Sequence, residues 1–180
     1  MNDDRADDMF CLSLLQEGAV PDWEELVQLL PGLPSGCVPF RGNPWINPAL
    51  QSGSLEAVKW MILQGGDLKP VSSVYVVLQT ALERNTPDQL VVLEDLLKAG
   101  ADPNAHGIHD WTALHLAAVH EDFGAMNILL PAGARRDARS CIGDCATPEV
   151  EARSFDHPKA ADFLRDWQSD PIKPRPGARR

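Results

Sequence analysis

The sequence predicts an all-α architecture, a row of about four to five stacked helix–turn–helix units joined by finger-like loops. Three observations lead there. Glycines that follow a pair of apolar residues recur at Gly65, Gly100 and Gly133, spaced 35 and 33 residues apart. Such a glycine reads as a helix terminator, because it accepts the left-handed backbone at a C-cap. Each terminator is preceded by two stretches with apolar residues at three- and four-residue spacing, one buried face per short helix. Finally, the 15 prolines and 13 glycines are too many for long helices.

Taken in order, residues 1–8 hold Asp3, Asp4, Asp7 and Asp8 and read as an acidic tail. Phe10 to Leu30 carries Leu12, Leu14, Leu15, Leu26, Val27, Leu29 and Leu30, a divergent helix pair that caps the row at 9–33. Residues 31–43, rich in Pro and Gly, predict the first and longest finger. Residues 44–66 form the next unit, with Pro44, Trp45, Ile46, Ala49 and Leu50 before Val58, Met61 and Ile62. The unit over 76–101 needs about three extra residues between its helices, supplied by Asn85, Thr86, Pro87 and Asp88. Residues 112–133 make the clearest unit. Thr147-Pro148, Ala152 and Phe163-Leu164 predict a final unit, a cap at 144–168 without its glycine. Residues 169–180, with Lys173, Arg175, Arg179 and Arg180, read as a basic, Pro-rich tail.

Two half-motifs in these units resemble the ankyrin repeat. One is Thr112-Ala113-Leu114-His115-Leu116-Ala117-Ala118 with Gly133-Ala134, close to that family's Thr-Pro-Leu-His opening. The other is Leu96-Leu97-Lys98-Ala99-Gly100-Ala101-Asp102-Pro103-Asn104, close to its terminal half. The resemblance covers roughly residues 9–168 and is most specific in the centre. It implies an interaction module without catalysis, gripping a partner protein with its concave face, its fingers and the exposed ends of the first helices. Carried over position by position, the partner-binding residues would be Arg41, Asn43, Tyr75, Glu83, Arg84, His109, Trp111, Val119, His120 and Phe155. Trp111 and Tyr75 lead this set, since exposed aromatics give large contact area at low entropic cost. The alternative is that Trp111 folds back on its own finger. Trp45 stands at the Leu position of the motif and is expected in the core. The resemblance also gives His115 a structural part, holding the finger turn by hydrogen bonds.

Charge narrows the partner. A formal net charge of -10 repels a phosphate backbone, so no nucleic acid is expected, and it attracts a basic protein such as an enzyme or toxin. No run is apolar enough to span a membrane, and the acidic start lacks a secretory apolar region, so the expected compartment is the cytoplasm. Cys11, Cys37, Cys141 and Cys145 form no paired framework, which suits free thiols. No cofactor is expected. A metal site from His106, His109, Asp110 and His120, or from Cys141 and Cys145, lacks a ligand spacing that would support it. The sequence contains no phosphate loop, nucleophile elbow or zinc-protease helix.

The functional expectation is therefore a compact inhibitor or regulator that binds one target and is monomeric when free. A bacterial immunity protein neutralising a toxin is one form of this. A multi-partner scaffold is the alternative, with Trp60 on a second face. A metal-dependent sensor or enzyme is the remaining class.

Overall fold

The computed structural model describes residues 46–52, 54–69, 76–84, 86–141 and 145–167. The N-terminal cap, the first finger, residues 70–75 and both tails of the sequence reading lie outside these residues. Every regular element among the described residues is helical. Among the described residues, eight α-helices form four consecutive pairs: α1 (Ile46–Ser52) with α2 (Leu55–Leu63), α3 (Val77–Leu82) with α4 (Gln89–Lys98), α5 (Ala113–Val119) with α6 (Phe123–Leu129), and α7 (Pro148–Ser154) with α8 (Pro158–Asp166). A 3₁₀ turn over Ile108–Asp110 sits in the finger before α5.

The chain divides into two compact units, one ending at Asp102 and one beginning at Pro103. In the first, α1 packs on α3 and α2 on α4. The core there is Ile46, Ala49, Leu50, Met61, Leu78, Ala81, Leu93 and Leu96, all essentially out of water. In the second, α5 packs on α7, and α8 lies against both α7 and α5. Leu114, Ala117, Ala118, Met126, Leu129, Ala152, Ala160, Ala161 and Leu164 fill it. Each Leu buried there contributes about 1.5–3 kcal/mol. The alanines, having no bulk beyond Cβ, let the first helices approach closely.

The starts and stops of the helices follow from single residues. Ser54 accepts the Ala57 N–H at 3.2 Å and Asp122 accepts the Ala125 N–H at 2.9 Å, each capping a second helix. Pro148 and Pro158 open α7 and α8, where a missing N–H costs nothing. The three glycine terminators behave as read. Gly65, Gly100 and Gly133 have φ of 75°, 100° and 99°. In each case the following residue donates back across the turn: Gly66 to Met61 O at 2.8 Å, Ala101 to Leu96 O at 3.0 Å, Ala134 to Leu129 O at 3.0 Å. This six-residue closure satisfies carbonyls that the helix end leaves open.

The turn between α5 and α6, and that between α7 and α8, use the same closure without glycine. Glu121 and Asp156 take the left-handed position at φ 53° and 63°. The helix α8 has no glycine terminator. Instead Arg136 reaches back from the preceding finger and donates to Leu164 O at 2.7 Å. A cation at a helix C-terminus also meets the negative end of its dipole.

Two expectations are corrected. Ile46, fully buried at the start of α1, stands where Leu114 stands in α5, so Ile46 and not Trp45 holds the Leu position of the motif. Trp45 itself lies outside the described residues. The expected contact residues Arg84 and Val119 are both only 6% exposed. Val119 turns into the core as the last residue of α5. Arg84 donates to Leu50 O at 2.7 Å and to Asp88 at 3.0 Å, bracing the three-residue insertion between α3 and α4. Burial takes both out of a surface that a partner could reach without rearrangement.

Candidate interaction surface

The finger before α5 is built on His115. The backbone N–H of Thr112 donates to His115 Nδ1 at 3.1 Å, so Nδ1 carries the lone pair and Nε2 the hydrogen. The Thr112 hydroxyl is 2.9 Å from the same Nδ1. His115 Nε2 then donates to Ala146 O, 3.3 Å away at the base of the next finger. Burial is the main reason its pKa falls below the ordinary 6.5, which keeps the ring neutral. One imidazole thus ties two successive fingers to one helix.

Further bonds fix the same fingers. Asn104 donates to Gly133 O at 3.1 Å and accepts the Arg135 N–H at 2.8 Å, clasping the start of one finger to the start of the next. Cys141 N donates to His109 O at 3.0 Å, and Ser140 N donates to Ala146 O at 2.9 Å. The buried Ser140 hydroxyl meets Glu151 at 3.0 Å. His106 donates through Nδ1 to Asp110 O at 2.9 Å. These loops are therefore held by backbone-directed hydrogen bonds more than by packing.

On this frame sits Trp111. It is half-buried, lies parallel to His115 at a ring-centroid distance of 6.3 Å, and meets Phe155 edge to face at 6.0 Å. Phe155, at the C-cap of α7, is 54% exposed. The structure thus brings two of the expected contact residues, Trp111 and Phe155, into one aromatic pair. His109 and His120 are exposed in the same unit, His109 in the finger and His120 at the C-cap of α5. Glu83 is exposed in the first unit. Arg41, Asn43 and Tyr75 lie outside the described residues. The pairing of Trp111 with Phe155 was not visible in sequence, where they stand in different repeats.

The cations of the last finger are committed internally. Arg135 makes a double bond-pair with Asp137 at 3.0 Å, and Arg139 donates to Cys145 O at 3.1 Å. Cys141 and Cys145 are exposed free thiols. The Asp110 carboxylate beside Cys141 raises that thiol's pKa, opposing the reactive thiolate. Among the described residues, no group of three or more His, Cys, Asp or Glu could hold a metal ion. No helix among them is long and apolar enough to cross a membrane.

The finger, the α5–α6 pair and the Gly133 terminator form one continuous stretch, and a family model of the ankyrin repeat matches it over residues 109–141. The chain carries an ankyrin repeat. It also resembles Protein PhlB of Serratia liquefaciens, with 39% identity over 76 residues. That match covers 42% of this chain and 32% of PhlB, so the chain spans about a third of the relative's length. The ankyrin repeat is a protein–protein interaction module. His115, Gly133 and the Asn104 clasp build its scaffold, on which Phe155 stands exposed against the half-buried Trp111.

Proposed function

We propose that this ankyrin-repeat chain is a compact inhibitor or regulator, one that binds a single target protein through the fingers and first helices of its second unit. The observation that carries the reading is the exposed Phe155 packed on Trp111, over a finger base braced by His115. Rigid aromatic anchors that need no ordering on association are the usual centres of binding energy. His109 and His120 are exposed polar residues of the same unit, and Arg41, Asn43, Tyr75 and Glu83 remain candidate contacts by their place in the repeat pattern alone. The net charge of -10 favours a basic target, which includes an enzyme or toxin held inactive by its immunity protein. A cytoplasmic, monomeric free state accords with this role.

A second reading, the multi-partner scaffold, draws support from the first unit. Leu63 is 81% exposed, and Leu90 and Val91 are also exposed on the second helices. Such side chains offer a separate docking face.

Affinity capture from native lysate tests the two. A Trp111→Ala/Phe155→Ala double variant, with its helical spectrum checked, is compared with Leu63→Ala. Loss of one dominant partner only in the double variant supports the single-target binder. Partners lost separately in each variant support the scaffold. Capture unchanged in the double variant would sink the proposed surface.

A further inference from the structure

Resting on that docking surface, we infer that the Trp111–Phe155 pair is a receptor for an arginine side chain presented by the partner. The argument begins with charge. Five of the second unit's eight arginines are among the described residues, and each of the five has a partner within it. Arg135 is held by Asp137, Arg136 by Leu164 O, and Arg139 by Cys145 O. Arg153 meets Glu149 and Asp162, and Arg165 meets Asp162 and Asp166. Asp110 and Asp156, in contrast, have no cation at ion-pairing distance among the described residues. Asp110 precedes Trp111 directly, and Asp156 follows Phe155 directly. Two carboxylates without an ion-pair partner among the described residues thus belong to the chain neighbours of the two rings.

Both acids are held in place. Asp110 and Asp156 take φ of 57° and 63°, and their backbone N–H groups donate to Gly107 O and Arg153 O, each at 3.1 Å. The Asp110 carboxylate accepts from the Cys141 thiol. Behind Trp111, the stacked His115 is neutral because burial disfavours its protonation.

The chemistry selects the guest. An aliphatic side chain would use the rings and ignore the carboxylates, while an acidic one would be repelled. A guanidinium is planar, stacks on an aromatic face and donates to a carboxylate at the same time. The unit supplies its own contrast. Phe123, Phe163 and Trp167 form another aromatic cluster, with ring centroids 5.5 Å apart at each step. Its acids, Asp162 and Asp166, are already paired with Arg165. That groove has rings without spare charge.

The test uses the full ¹⁵N-labelled chain and the peptide acetyl-Gly-Arg-Gly-amide, with the uncharged citrulline peptide as its isostere. The reporter is the indole N–H resonance of Trp111, assigned with Trp111→Phe. The arginine peptide is expected to move it saturably, and citrulline about fivefold to tenfold more weakly. Asp156→Asn and Phe155→Ala should weaken the arginine response by a similar factor while leaving the rest of the spectrum in place. An unmoved indole up to about 10 mM peptide, or equal responses to both peptides, would overturn the inference. If the double variant loses its partner while the arginine peptide leaves Trp111 unmoved, the docking surface stands and the arginine receptor falls. If the peptide binds and partner capture survives the double variant, the docking surface falls and the receptor stands.

Discussion

Replacing His115 by leucine is expected to cost about 2–3 kcal/mol of folding stability, most of it from one orphaned amide. Leucine roughly fills the volume, so the cavity contribution is small. Thr112 is 1% exposed, and its N–H loses the Nδ1 acceptor at 3.1 Å. Leaving a buried donor unmade costs about 1–3 kcal/mol. Ala146 O loses less, because it keeps the Ser140 N–H at 2.9 Å and is only half-buried. The parallel contact with Trp111 accounts for about another 0.5–1 kcal/mol. Asparagine separates these contributions. Its Oδ1 can stand near the position of Nδ1 and keep the Thr112 bond, so His115→Asn should lose about 1 kcal/mol. Urea unfolding followed by circular dichroism reads the order wild type, Asn, Leu, from midpoints at unchanged slope. A leucine variant as stable as the wild type, or an asparagine variant below it, would refute the hydrogen-bond account.

The remaining predictions concern the same unit. Burial lowers the His115 pKa, so the unfolded chain binds this proton more readily than the folded one. Stability should be full above the ordinary value of 6.5 and fall as the pH drops from there towards the folded pKa, by up to about 1.4 kcal/mol per pH unit. His115→Asn should lack this component in a pH series of unfolding midpoints. Asn104→Ala removes both halves of the finger clasp, and its exposure lets water take over, so a loss of about 1 kcal/mol is expected by urea titration. Gly133→Ala should cost about 1–2 kcal/mol through backbone strain alone, since φ is 99° and an added Cβ would meet nothing within 4 Å. An unchanged unfolding midpoint would show that the turn relaxes. Asp110→Asn should speed alkylation of Cys141 several-fold, read by peptide mapping in a Cys145→Ser background, because the carboxylate no longer holds the thiol protonated.

The repeat was legible because its punctuation is chemical. A glycine at positive φ leaves the same mark in any copy, and Gly65, Gly100 and Gly133 fixed the ends of α2, α4 and α6. His115 was readable as structural from its motif alone. Register in the weak copies was harder. Asn47, fully buried, stands at the His115 position of the first pair, with neither side-chain atom bonded among the described residues. Counting from Pro44, which stands at the Thr112 position, puts Asn47 there, but the chain offers no sign that an amide can stand in for the imidazole. Arg84 was misplaced for a related reason. Sequence position puts it at an exposed helix end, but its partner Leu50 O comes from the neighbouring pair, 34 residues away. The aromatic pair is likewise a product of stacking. Trp111 and Phe155 become neighbours only when α5 lies against α7.

The reach of Arg136 to the end of α8 bears on how this chain could grow or shrink by whole copies. A glycine terminator is portable: it travels with the copy that it closes. The lock on α8 is not, because its donor sits 28 residues upstream of Leu164, in the previous copy's territory. Excising residues 104–136 would keep the 33-residue phase yet bring Pro103, which has no hydrogen to donate, into the place of Arg136. Material fused after residue 167 would leave the lock intact. Trimming of this array is therefore riskier than extension, an asymmetry that the period alone does not reveal.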